Sequence, residues 1–341
     1  MMHNINVIII SPDPLDATSF YRAVGPFSAL RREVPGMTLS INVSCNWAVL
    51  AMADILFVQR AYSNSHLELV KLAKDMGKAV WLDYDDDLFN VPIDNPAHPL
   101  YAEPSIKANI ATMIEAADFV SVSTDHLKRT IERGGFLRRG RRPCDLIPNA
   151  LDESLLHYRQ AMIPIQRRQI LWRGSTSHRP DLLEFKDALL HIVRRHKQWS
   201  INFFGDMPPF LHEKALDNVV YTPPANPLHY YFRSICEMRS PALIVPLIDS
   251  DFNRAKSNIA WLEALFSGGI AIAPDWPEWR RPGCINYSDH ASFIAAVEAV
   301  IAGEIDVQKE NRAGWEHIQR NAMLRDVNRL RIEIIESVRQ H

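Results

Sequence analysis

The sequence predicts an α/β fold of two doubly wound halves that face a central cleft. Three observations carry it. Short β-rich apolar runs alternate with helix-period segments, the alternation occurs twice, and a stretch of weak periodicity bearing Pro148 and Pro164 separates the two series.

In the first series the apolar runs at 7–10, 39–43, 55–58, 79–82, 119–122 and 146–147 read as strands, with helices at 21–33, 65–76, 106–116 and 125–133 between them. In the second, strands at 169–173, 201–204, 219–221, 242–246, 270–273 and 284–287 alternate with helices at 182–196, 228–236, 257–266 and 291–302. Each series makes a parallel sheet covered on both faces, a Rossmann-like unit. The domains therefore run 1–160, 161–306 and 307–341, the last being closing helices that fold back toward the first half. Ligands of such units bind at the carboxyl ends of the strands, so two units on one linker enclose a cleft where the chemistry belongs.

A chain of 341 residues with 47% hydrophobic content can fill two cores. No apolar run approaches the ~20 residues of a membrane span, and the first residues lack a basic region and cleavage site, so a soluble, cytoplasmic protein without an integral membrane segment is expected. Cys45, Cys144, Cys236 and Cys284 lie too far apart to suggest a structural metal or disulfide framework. A formal charge of -2 excludes a uniformly basic nucleic-acid binder, although Arg138, Arg139, Arg141 and Arg142 around Gly140 form a local basic run. With 13 glycines, neither a G-x-G-x-x-G nor a P-loop motif follows any strand, which argues against dinucleotide oxidoreductases and P-loop phosphotransferases.

The richest segment is 252–263, between the last strands of the second half. Ser257 or Asn258 fits a helix N-cap and Gly268-Gly269 a C-cap. In one helix, Lys256 and Glu263 lie about 20° from eclipsed and about 10 Å apart along the axis. That face suits a nucleoside diphosphate: free N–H groups and Lys256 meet the phosphates, and Glu263 accepts from ribose hydroxyls. Spacing alone favours a solvated surface helix.

The run FNRAKSNIAWLEALFSGGIAIAP resembles the donor-binding segment of the large retaining GT-B glycosyltransferase family, which has bacterial and phage members. Further blocks match in order: Ser19-Phe20-Tyr21-Arg22, the run from Trp81 to Phe89, Ser121-Val122-Ser123-Thr124, Ile147-Pro148-Asn149-Ala150, and Gly174 through Asp181. Ala255 stands where family members with a Glu-x7-Glu motif carry the first glutamate, so only Glu263 carries over; Asp251 or a backbone amide near Asn253 is the expected substitute.

The resemblance implies transfer of a sugar, with retention and without metal, from a UDP- or GDP-sugar to a hydroxyl acceptor, and no other cofactor. Lys256 and Arg173 are the expected catalytic cations, with Asp85 or Asp86 on the transferred sugar or acceptor. Donor contacts are expected from Gly174, Ser175, His178, Asn253, Ser257, Asn258 and Glu263. Tyr21, Arg22, Asp83 and Tyr62 are expected on the acceptor side, where the partner is a glycan or a hydroxymethylated pyrimidine in phage DNA held by the Arg138 to Arg142 run. Read as Asp-x-Asp, Asp83 to Asp87 also suggest a divalent cation, a reading the resemblance disfavours. Rival readings are a GT-B-fold sugar-nucleotide epimerase and a non-catalytic nucleotide-binding module.

Overall fold

The computed structural model describes residues 4–137, 144–159, 167–212, 216–225 and 228–340. Its first sheet holds β1 (Ile5–Ile10), β2 (Met37–Asn42), β3 (Ile55–Gln59), β4 (Ala79–Tyr84), β5 (Phe119–Val122) and β6 (Asp145–Leu146), all parallel, in the order β2-β1-β3-β4-β5-β6. The second holds β7 (Gln169–Arg173), β8 (Ser200–Phe204), β9 (Val219–Thr222), β10 (Ala242–Ile244), β11 (Ile270–Pro274) and β12 (Cys284–Tyr287), parallel in the order β12-β11-β10-β7-β8-β9. Every residue of β3 and β11 is buried, as expected of strands covered on both faces. Strand order reverses between β1 and β3 in the first half and between β7 and β10 in the second, and those switch points open the two crevices of the cleft.

Three predicted helices are divided differently. The helix expected over 21–33 is two, Ala17–Arg22 and Val24–Glu33, because Pro26 lacks an N–H and fits only the first turn of a new helix. Pro180 likewise starts Arg179–Glu184, and a separate helix, Lys186–Arg195, follows. In the donor segment, Ser250 caps a short turn of helix, Asp251–Arg254, and Ile259–Phe266 begins afresh after Asn258. Lys256 lies in the bend between them, so it does not share one helical face with Glu263.

The halves interlock. The final helix, Leu324–Arg339, crosses to the first sheet, where Leu324, Val327, Ile334 and Ile335 join Phe27, Phe57 and Trp81 in one core. Beneath it Arg22 grips Asp83 through Nε to Oδ2 at 2.9 Å and Nη2 to Oδ1 at 2.6 Å, and donates from Nη1 to the Ile147 carbonyl at 2.5 Å. Ser121 donates to the same carboxylate and accepts from the Trp81 indole. Arg331 is buried beside them, its pKa pushed down to about 9 by burial and by the charge of Arg22. Arg22 and Asp83 are 0% and 1% exposed and spend their polar atoms on one another and on Ile147, Asn149 and Ser121, so they brace the fold and leave no surface for the acceptor expected there. Asp83→Asn leaves two buried guanidiniums without their carboxylate and is expected to cost about 3–5 kcal/mol in urea unfolding; a loss below about 1 kcal/mol contradicts this role.

Candidate active site

At the second switch point, β7 ends in Arg173 and Gly174. The Gly174 N–H donates to the Phe204 carbonyl at 3.1 Å, and a side chain at Gly174 would meet the Trp172 ring at 2.7 Å. Opposite it Gly205, at φ +108°, would drive a side chain to 2.3 Å from the Gly174 carbonyl. Two glycines thus bring the ends of β7 and β8 together and leave bare backbone at the crevice. Gly205 went unpredicted, although it directly follows an apolar run that reads as a strand.

Glu263 is 3% exposed and tightly held. Tyr21 donates to Oε1 at 3.0 Å, Tyr231 to Oε2 at 2.7 Å, and Arg173 Nε lies 2.6 Å from Oε2 without aligning its N–H, an ion pair more than a hydrogen bond. Burial, reinforced by Glu263, lifts both phenols far above their ordinary pKa, so they remain donors. Burial works against the Arg173 charge and Glu263 more than restores it. The η nitrogens of Arg173 have no partner among the described residues and remain available for an anion. Tyr21 comes from the first half, so it contacts the carboxylate expected to receive ribose, not an acceptor.

Across the cleft, β4 delivers the aspartates. Arg60 Nε and Nη2 hold Asp85 at 2.6 and 2.8 Å, and Nη2 reaches Asp86 at 2.6 Å. Lys256 Nζ approaches Asp86 from the second half at 3.7 Å and lies 4.6 Å over the Phe252 ring. Burial disfavours both carboxylates. Lys256 and Arg60 together hold Asp86 below its ordinary range, whereas Arg60 only partly offsets burial at Asp85, which is pushed up. Asp87 turns away and closes the local bend through Phe89 N–H and Asn90. Arg60 was not among the expected residues, although it directly follows the apolar run of β3, a strand-end position like that of Arg173 at the close of β7.

Several expected donor contacts are braces. Asn253 is buried and donates to Asp181 at 2.8 Å and to the Ile248 carbonyl at 3.0 Å. Ser257 accepts from Asn149 at 2.7 Å, and Thr124 donates to the Ala255 carbonyl at 2.8 Å, two bonds that join the halves. Asn258 is buried at the start of its helix, near Glu278. Ser175 meets Ser177 at 2.8 Å. His178 Nδ1 lies 3.0 Å from Asp181, and burial lowers its pKa, so it is a neutral imidazole that suits a hydroxyl better than a phosphate. Among the described residues no group of three or more His, Cys, Asp or Glu side chains is arranged for a metal ion, and Asp85 and Asp86 are bound by Arg60. The Arg138 to Arg142 run lies outside the described residues.

Solved structures share this fold. Sucrose-phosphate synthase from Thermosynechococcus elongatus superposes with a TM-score of 0.72 at 12% identity, over 98% of this chain and 99% of that one. The fold is GT-B. A trehalose-6-phosphate synthase, studied for glycosyl transfer with retention, shares the GT-B fold at a TM-score of 0.63 and 11% identity, over 98% and 99% of the two chains. The pneumococcal O-GlcNAc transferase GtfA, solved with UDP and GlcNAc, does so at 0.59 and 12% identity, over 83% of this chain and 56% of that one. No protein-family model and no curated protein sequence matches the chain.

Glu278 adds a pH signature to this GT-B cleft. Burial lifts its pKa from 4.5 to about 6, against the opposing pull of Arg281 and the Asn258 N–H. Below the unfolded value both states are protonated. Between 4.5 and about 6 the folded state holds the extra proton, so stability falls as pH rises through that window and then levels. Glu278→Gln is expected to remove about 2 kcal/mol of that fall, read by denaturant melts across the window; an unchanged slope contradicts it.

Proposed function

We propose that this chain is a glycosyltransferase moving a sugar from a nucleoside-diphosphate sugar, such as a UDP- or GDP-sugar, to a hydroxyl acceptor, with retention and without a metal ion. The observation that carries it is one juxtaposition: Lys256 and the free edge of Arg173 stand at a bare-backbone switch point, facing the Arg60-held pair Asp85 and Asp86. Fold neighbours solved with UDP or studied for retention support the donor class and the stereochemistry. The four unpaired cysteines fit a reducing cytoplasm.

In the reaction, the acceptor oxygen bonds to the anomeric carbon as the bond from that carbon to the β-phosphate oxygen breaks. The acceptor proton passes to the departing diphosphate. Negative charge grows on the β-phosphate, where two cations stabilise the transition state more than the ground state. Lys256 starts out beside Asp86, and a diphosphate competes for it. Glu263 reaches ribose hydroxyls by exchanging a phenol for a sugar hydroxyl, one hydrogen bond for another. The donor segment is accordingly read as a variant of the family motif, with Ala255 buried against the first half and unable to touch sugar.

A thermal-shift screen against nucleoside diphosphates and their sugar conjugates tests the reading, since a ligand of the native state raises the melting point. Lys256→Ala is expected to keep the melting point and lose about 10²–10³-fold in kcat. Near-normal turnover by that variant contradicts the role given to Lys256.

A further inference from the structure

The first switch point, between β1 and β3, has equipment that the donor chemistry leaves unused. Arg60 follows β3 with φ +50°, a left-handed conformation uncommon outside glycine that aims its guanidinium along the cleft wall. Its Nε and Nη2 are spent on Asp85 and Asp86, and its Nη1 has no partner among the described residues. Two residues on, Tyr62 packs edge-on against Tyr101, with ring centroids 5.5 Å apart at 72°. Both rings are half-buried, and neither phenol has a hydrogen-bond partner among the described residues. Burial pushes the Tyr101 phenol up to about 12, and Arg60, Asp86 and Asp85 are among the charges that act on it. It is therefore a neutral donor next to the clamp.

Three unused donors, an aromatic pair and two carboxylates thus line one short wall. A sugar ring needs that mixture: an apolar C–H face for an aromatic ring, and hydroxyls that donate to carboxylates and accept from phenols or guanidinium. With Arg60 and Lys256 already paired to Asp85 and Asp86, the wall offers no cluster of unpaired cations to hold a nucleic-acid backbone or a sugar phosphate. The wall meets the donor side at Asp86, 3.7 Å from Lys256, which is where transfer would occur.

We propose that Tyr62, Tyr101 and the free edge of Arg60 form the acceptor subsite, and that it takes the ring of a neutral saccharide with hydroxyls on Asp85 and Asp86. The inference rests on the transferase reading above and narrows its acceptor from any hydroxyl to a sugar.

The probes are methyl glycosides of glucose, galactose, mannose and N-acetylglucosamine, set against a duplex bearing hydroxymethylated cytosine, with the donor taken from the thermal-shift screen. Transfer to a glycoside and not to the duplex is expected. Tyr62→Phe and Tyr101→Phe, which keep the rings, are each expected to raise the glycoside KM about tenfold, the loss of one hydrogen bond, with kcat within about twofold. Saturation-transfer NMR of the glycosides on the wild-type chain is expected to show contact without relying on turnover or on variants. Glycosylation of the duplex in preference, unchanged KM in both variants, or no saturation transfer from the protein overturns the subsite. A wild-type melting point that no nucleoside diphosphate moves instead overturns the transferase reading beneath it, in a different assay.

Discussion

A carboxylate sealed from water must find positive charge or hydrogen-bond donors, and the structure of the cleft follows from how Glu263 finds them. Its partners are Arg173 at the end of β7, Tyr231 from the helix Leu228–Met238, and Tyr21 from the first half. One side chain thus fixes the end of the second sheet's central strand, a covering helix and the opposite domain. The contact is costly to break from one side only, because losing any partner leaves buried polarity unmatched.

That constraint orders the rest of the site. With Glu263 holding Arg173 by Nε, the outer edge of the guanidinium points free, and the apposed glycines keep the backbone beside it uncovered. On the facing side, Arg60 divides its two bonds between adjacent carboxylates and separates their properties: Asp86, shared with Lys256, is held ionised, while Asp85 is driven toward its proton by burial. Environments that push neighbouring acids apart are a frequent mark of chemistry. The halves also meet through Thr124, Asn149 and the helix Leu324–Arg339, so movement of one against the other must rearrange named bonds and not a featureless interface.

Most strands were legible because burial on both faces leaves continuous apolar runs, as in β3 and β11. The cleft was legible as a place, since strand ends on either side of a linker can be counted. What escaped were contacts with no local signal. Arg22 and Asp83 are 61 positions apart and were expected on the acceptor side, whereas an extra buried arginine, Arg331, comes from the far end of the chain. Tyr21 and Glu263 are 242 positions apart, and no periodicity relates them. Lys256 and Glu263 were counted on one helix because helical spacing is the default for seven residues; the bend after Arg254 defeated that count. Asn253 and Ser257 look like ligands on a motif and prove to be joints.

The central claim is that this cleft holds a diphosphate between Arg173 and Lys256. A crystal structure with the nucleoside diphosphate that most raises the melting point tests it most directly. The account expects the β-phosphate within hydrogen-bonding reach of Lys256 Nζ and the free η nitrogens of Arg173, with Lys256 drawn off Asp86. A nucleotide bound away from both cations, with the contact of Lys256 and Asp86 undisturbed, would contradict it.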